Sequence, residues 1–236
     1  MPHNRFFSKE EFKLKKDIEL TDEEFFHLKN VTRLKEKETV EIVNGKGQLA
    51  KGIIKKIAKD KSIVEITKVE NSSKNPYPII LCQGLPLRKN LELIIEKATE
   101  IGIDEIRIFT SDNTKKSKIS ENDKLRLERI TISALKQCGR TFLPTISFFS
   151  KISDLNLKDH SVFLCDSNLN TKSNINIPKT NPIAIIIGPE SGLSNKEKDF
   201  IKKNYDHQII KFNSNTLRCE TASIAICSIV SYLIQN

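Results

Sequence analysis

From residue 78 onward, runs of strand character alternate with runs of helical period, and this alternation restricts the fold more than any other feature of the chain. Strands are expected at Ile79–Gln83, Glu105–Thr110, Ser161–Cys165, Pro182–Ile187 and Gln208–Phe212. Helices are expected at Lys89–Ile101, Glu121–Cys138, Asn195–Lys203 and Glu220–Ile234, with Ser194 and Glu197 forming a capping box before the third. Strands and helices in alternation imply a parallel sheet covered by helices on both faces. Ligands of such sheets bind beyond the carboxyl ends of the strands. Gly188 and Asn213 fall at two such ends.

The first 70 residues read differently. Thr39–Val43 alternates apolar and polar, Asn44-Gly45-Lys46-Gly47 turns the chain, and Gln48–Ile57 and Ser62–Val69 follow as two more strands. One helix is expected before them, capped by Thr21 with Glu24 completing a capping box, and with Phe25, Phe26 and Leu28 facing inward. Asn71-Ser72-Ser73-Lys74-Asn75-Pro76 is polar and rich in breakers, and reads as a linker. The expected organisation is therefore a small β-rich domain over 1–71 and an α/β domain over 77–236.

Composition narrows the partners. Lys and Arg outnumber Asp and Glu by 39 to 30, which favours a polyanion, and the excess is spread along the chain rather than gathered in one arm. The five cysteines, Cys82, Cys138, Cys165, Cys219 and Cys227, form no CxxC pair, so neither a zinc site nor a disulfide framework is indicated. No apolar run near the start is long enough for a signal peptide, and the most apolar stretch, Ala222 to Leu233, is too short to span a bilayer. A cytosolic protein with reduced thiols is expected, with no membrane partner.

Two segments near the end carry the chemistry. Ile185-Ile186-Ile187 stops in the turn Gly188-Pro189-Glu190-Ser191-Gly192, where glycine backbone can take positive φ or lie close to a ligand. Leu217-Arg218-Cys219-Glu220-Thr221-Ala222 opens an apolar helix whose first N–H groups lack partners. The turn is neither a phosphate loop nor a dinucleotide fingerprint, because it lacks the Lys-Ser/Thr pair and the GxGxxG spacing. Alone it is an ordinary strand-ending turn. Together with LRCETA, with Lys97-Ala98-Thr99-Glu100-Ile101-Gly102, and with Gln137-Cys138-Gly139-Arg140 and Pro144, it resembles the SPOUT methyltransferases, and most of all their RsmE family. His3-Asn4-Arg5-Phe6-Phe7, Val31-Thr32-Arg33 and Asn44-Gly45-Lys46-Gly47 extend the resemblance to the start of the chain, in the same order. The chain departs from the family pattern in three places. Ser191 stands where Gly is usual, Phe212-Asn213 where Leu-Gly is usual, and Thr216 where Ile is usual.

The resemblance implies a PUA-like RNA-binding β-barrel followed by a SPOUT domain with a C-terminal trefoil knot. It implies S-adenosylmethionine as cofactor, held by Leu164, Ile187, Gly188, Pro189, Glu190, Ser191, Gly192, Phe212, Leu217, Arg218, Thr221 and Ala222. It makes Arg140 and Glu220 the catalytic candidates, and His3, Arg5, Phe6, Phe7, Arg33, Arg88 and Arg140 the candidates for gripping RNA. Plainer readings stand beside these. Arg140 suits a helix C-terminus and Glu220 a helix N-terminus by charge alone, and Phe6 or Phe7 suits a barrel core. The implied reaction methylates N3 of a uridine in small-subunit ribosomal RNA, naked or in the assembled subunit, by a homodimer that needs no metal. Its base is Glu220, Glu190 or a water. The alternatives are a related enzyme acting on transfer RNA and a non-catalytic RNA-binding protein of the same fold.

Overall fold

A computed structural model describes residues 4–114, 119–166, 176–211 and 215–235. The chain divides into two compact units, Met1–Lys74 with Ile132–Leu143, and Asn75–Thr131 with Pro144–Asn236.

The first unit is built on a five-stranded sheet in the order β1-β3-β4-β5-β2. These strands are Arg5–Phe7 (β1), Asp17–Leu20 (β2), Thr39–Val43 (β3), Gln48–Ile57 (β4) and Ser62–Asn71 (β5). β1 runs parallel to β3, and the other pairs are antiparallel. The β3–β4 turn forms because the Asn44 side-chain oxygen accepts from the N–H groups of Lys46 (2.9 Å) and Gln48 (3.1 Å). Phe6, Ile42, Ile54 and Ile66 are fully buried at its centre.

The expected helix is the short α1, Asp22–Phe26, continued by a wider π turn over His27–Thr32. Its capping box does not form. The Thr21 hydroxyl turns to Asp22, while Glu24 accepts from the Phe7 N–H (3.1 Å) and from Lys136 Nζ (2.6 Å). Phe25 and Leu28 face inward as expected, but Phe26 is 62% exposed. β1 and β2 went unforeseen because runs of three and four residues are too short to show a period.

Ile132–Leu143 joins this unit through apolar contact. Leu135 is buried against Phe7 and Val43, with Ile132, Leu49 and Leu143 around them. Backbone bonds from Gly47 N–H to the Thr141 carbonyl (3.0 Å) and from Leu143 N–H to the Gly45 carbonyl (2.9 Å) fix the segment to the β3–β4 turn.

The second unit holds a six-stranded, wholly parallel sheet in the order β11-β9-β10-β6-β7-β8. Its strands are Ile79–Gly84 (β6), Glu105–Phe109 (β7), Thr145–Phe149 (β8), Ser161–Cys165 (β9), Ile183–Ile187 (β10) and His207–Ile210 (β11). Its helices are Arg88–Ile101 (α2), Glu121–Cys138 (α3), Asn195–Asn204 (α4) and Cys219–Gln235 (α5), and α3 runs on into the segment assigned to the first unit. β6 and β10 are buried at every residue, which is why β10 reads as an unbroken apolar run and β6 as one interrupted only by Gln83 before its closing Gly84. On one face Ile79, Leu81 and Ile185 pack with α2 and α5 through Leu91, Ile95, Ile226 and Val230. On the other, Cys82, Leu164 and Ile186 pack with Leu193, Ile201 and Tyr205, which bracket α4. β8, which begins just after Pro144, is not among the strands expected from the sequence. Among the described residues, no helix is long and apolar enough to cross a membrane.

Candidate functional site

β10 ends at Ile187, and the chain then doubles back sharply. The Gly192 N–H donates to the Pro189 carbonyl at 2.8 Å. Gly188 is required by this fold, since a Cβ there would stand 2.8 Å from the Leu193 nitrogen and 3.0 Å from the Gly192 carbonyl carbon. Gly84, at the end of neighbouring β6, is required in turn. Its Cβ would stand 2.6 Å from Pro189 Cδ.

Three groups hold the turn. Gln83, fully buried, donates through Nε2 to the carbonyls of Gly84 (2.9 Å) and Gly188 (3.2 Å). Its Oε1 lies 2.6 Å from the Ser223 hydroxyl, which also lies 2.7 Å from the Cys219 carbonyl at the start of α5. Glu190 Oε1 accepts from the Leu87 N–H (2.9 Å) and Asn90 Nδ2 (2.8 Å), so the turn caps α2 from a distant part of the chain. On the far side, Asn113 Nδ2 donates to the Gly192 carbonyl at 3.2 Å.

The α4 capping box forms as expected, and it does more than cap. Glu197, buried, accepts from the Ser194 N–H, the Ser111 hydroxyl and the Asp112 N–H, while the Ser194 hydroxyl reaches Asp112 at 2.6 Å. The loop after β7 is thereby fastened to the residues that follow the turn.

Beyond the strand ends lies a cavity of about 730 Å³. Ile187 through Leu193 form one wall, and Asn215 through Glu220 with Ala222 form another. Cys165 and Asp166 close it from the end of β9, Ile210 and Lys211 from β11, Lys198 from α4, and Leu87, Lys89 and Asn90 from the start of α2. Lys198 and Asp166 are ion-paired at 2.7 Å, both largely buried. Burial pushes the Cys165 thiol up to about 12. Burial, then the neighbouring Glu190 carboxylate, does the same to Cys219. Neither thiol is a nucleophile near neutral pH. Burial alone would raise the Glu190 carboxyl, but the N–H groups of Leu87 and of Glu190 itself, the Asn90 amide and the Cys219 thiol outweigh it and hold the group below its ordinary value.

The cavity brings together Ile187, Gly188, Pro189, Glu190, Ser191, Gly192, Leu217, Arg218, Glu220 and Ala222. Leu164 and Thr221 are not on its wall. Leu164 points into the core on the α4 side, since alternate residues of a strand face opposite ways, and Cys165 takes its place. Thr221 is exposed on α5. Phe212 and His3 lie outside the described residues, as does Asn213. Arg88 stands apart from the cavity, paired with Glu92 (3.3 Å) and Asp123 (3.2 Å).

In the first unit, Phe6 is fully buried and Phe7 is 9% exposed, so neither offers a ring face outward. Arg5 is 8% exposed and gives two N–H groups to Glu41, at 2.7 and 3.1 Å. Arg33 is exposed and has a left-handed backbone (φ 55°). Arg140 is half-buried after Gly139, whose φ is 87°.

A family model described as an RNA methyltransferase domain matches residues 73–231, and one described as an RNA methyltransferase PUA domain matches residues 20–67. Ribosomal RNA small subunit methyltransferase E 2 of Borreliella burgdorferi is 31% identical over 208 residues, covering 85% of this chain and 84% of that protein. The chain belongs to the ribosomal RNA small subunit methyltransferase E family. A second member, from Buchnera aphidicola, is 30% identical over 239 residues, covering 93% of this chain and 89% of its own length. The fold agrees. The crystal structure of the family member from Neisseria gonorrhoeae, bound to S-adenosyl methionine, superimposes with a TM-score of 0.87 at 23% identity, covering 98% of this chain and 97% of that one.

Within this family frame, Gln83, Asn90, Asn113, Asp166, Lys198 and Ser223 are the structured polar residues that the sequence motifs did not single out. Gln83 had a visible signal, as the one polar side chain in the otherwise apolar run Ile79-Ile80-Leu81-Cys82-Gln83. Asn113 and Asp166 had none, because only the fold brings their loops to the turn and the cavity.

Proposed function

We propose that the protein methylates N3 of a uridine in small-subunit ribosomal RNA, with S-adenosylmethionine as methyl donor. The observation that carries this reading is the cavity, walled by the Gly188–Gly192 turn and the Leu217–Ala222 helix mouth, in a chain of this family. The wall fits the cofactor. Ile187, Leu217 and Ala222 offer apolar surface, and Gly192 (φ 71°) leaves open space where a Cβ would stand. Glu190 and Glu220 supply negative charge for a sulfonium and an ammonium, while Asp166 is paired with Lys198. When bound there, the cofactor supplies an electrophilic methyl group.

The chain's own residues then have distinct tasks. Glu190 is committed to its donors and held ionised, so it is a poor proton acceptor. Glu220, on the other wall, is the proposed acceptor for the N3 proton. Arg140 is the proposed grip on the target nucleotide, where its N–H groups can meet charge spreading onto a uracil carbonyl. Arg33 and the dispersed basic excess are the proposed phosphate contacts. Arg5 supports the barrel through Glu41, and its Nη1 lies beside Gly139, 3.1 Å from where a Cβ would stand.

Two further parts belong to the same proposal. α5 carries Thr221, Ala225, Ser228 and Tyr232 on one face, and Tyr232 is 67% exposed although the helix is otherwise strongly apolar. A second copy covering that face accounts for it. The trefoil knot is supported by the path of the chain, which leaves β9 for β10, crosses back to the edge at β11, and returns through α5 to pack beside β10 and β6. The proposed place of action is the cytoplasm, where small subunits are assembled.

The test is methyl transfer to small ribosomal subunits and to naked small-subunit RNA, followed by mapping of the modified base. N3-methyluridine at one position is the expected product. Methylation at a ribose or in transfer RNA alone would overturn the substrate assignment.

A further inference from the structure

Gln83 touches nothing in the cavity, yet it joins the two walls. It sits at the carboxyl end of β6, is fully buried, and follows four apolar residues. A primary amide has two N–H groups and one strong acceptor. Here both N–H groups are used, one on the Gly84 carbonyl and one on the Gly188 carbonyl, and the acceptor faces the Ser223 hydroxyl. That hydroxyl, 1% exposed, also reaches the Cys219 carbonyl in the first turn of α5. Two side chains, Gln83 and Ser223, thus connect the first residue of the turn to Cys219, the first residue of α5. Both N–H groups of the Gln83 amide are thereby committed to the two carbonyls.

We infer that the Gln83–Ser223 pair is a positioning device that sets the separation of the Gly188 turn from the mouth of α5, and so sets the affinity of the cavity for its cofactor. This rests on the reading that the cavity takes S-adenosylmethionine. The inference follows from where the bonds end. Gly188 and Cys219 belong to different walls, and Gln83 with Ser223 forms a buried side-chain link between those walls, beside the contact of the Cys219 thiol with Glu190. Gly84 reinforces it from beneath by admitting Pro189 against the strand. The neighbouring residues are apolar, so a shifted turn would leave the amide unpaired out of reach of water, and such states are penalised. Neither residue meets the ligand, so both act through the backbone they hold.

The experiment compares the full-length parent with Gln83→Met, Gln83→Glu, Ser223→Ala and the Gln83→Met/Ser223→Ala double variant. Calorimetry gives the Kd for S-adenosylmethionine at a temperature where each protein is folded, and steady-state assays separate KM for the cofactor from kcat. Gln83→Met keeps the volume and loses every bond. Gln83→Glu keeps an acceptor for Ser223 but sets carboxylate oxygens against two carbonyls. Each is expected to weaken binding at least tenfold and to raise KM far more than it lowers kcat. Ser223→Ala is expected to weaken binding less, and the double variant no more than Gln83→Met alone, because the two residues act as one unit. A role confined to stability would lower the unfolding temperature and leave the Kd of the folded protein unchanged. If Gln83→Met fails to fold, Ser223→Ala and Gln83→Glu still decide the matter. A parent that binds, with folded variants that bind within twofold of it, overturns this inference alone. A parent that does not bind overturns the cofactor reading and this inference with it.

Discussion

Gly188 has no room for a side chain, and the obstacle is the turn itself rather than a ligand. A Gly188→Val variant is therefore expected to displace Gly192 and Leu193, abolishing S-adenosylmethionine binding while the sheet survives. Calorimetry beside circular dichroism checks both halves, and normal binding would place the pocket elsewhere. Glu190 makes a second prediction, this time with pH. Its carboxyl is held below the ordinary 4.5 in the folded state. The stability it contributes is thus whole above its unfolded value and is lost as pH falls through the folded one. As pH falls below the ordinary 4.5, the parent should lose more stability than Glu190→Gln, and equal acid limbs would contradict the clamp. At this scale the sequence motifs supplied two stretches of the cavity wall, Gly188–Gly192 and Leu217–Glu220, because main-chain shape at Gly188 and Gly192 is written in residue type. They misplaced Leu164 because a strand's last inward-facing position depends on where it ends. They passed over Gln83 because one polar residue in an apolar run is legible only when its partners, 105 and 140 residues away, are known.

Elements show the same division between local and distant causes. α4 was legible because its cap is local: Ser194 and Glu197 satisfy each other within one turn. Ser194→Ala should cost about 1 kcal/mol as a lost cap, and somewhat more because the same hydroxyl reaches Asp112. That corresponds to a fall of roughly 2–4 °C in unfolding temperature. A scan showing no fall would mean that the cap contributes nothing beyond the packing of Ile201. The capping box of α1 failed for a reason no local rule contains. Glu24 is taken by the Phe7 N–H and by Lys136, 112 residues onward. The helices with a sustained apolar period, α2 and α3, kept their expected limits to within a residue. β1, β2 and β8 are held by neighbours from other parts of the chain, and their own sequences announce little.

For the whole molecule, Arg140→Ala should lower methyl transfer more than tenfold, as the loss of a charge-assisted hydrogen bond worth about 1.5–3 kcal/mol implies, with cofactor affinity unchanged. Single-turnover assays beside calorimetry read both, and an unaltered rate would return Arg140 to a purely structural place. Removing the first unit is a less clean experiment than the chain's order suggests. A protein begun at residue 77 would uncover Ile132, Leu135 and Leu143, which lie against Phe7 and Val43. Hydrogen exchange should show the end of α3 unprotected in such a truncation. The discontinuous first unit has a consequence during synthesis as well. N-terminal domains commonly fold while the rest of the chain is still being made, at about 5–20 residues per second. Here the first 74 residues hold their main core, but the smaller cluster around Phe7 and Val43 cannot close until residue 143 has left the ribosome, a wait of roughly 3–14 s at those rates. Until then Phe7 and Val43 stay uncovered in the nascent chain, so these two side chains mark where a chaperone would find it.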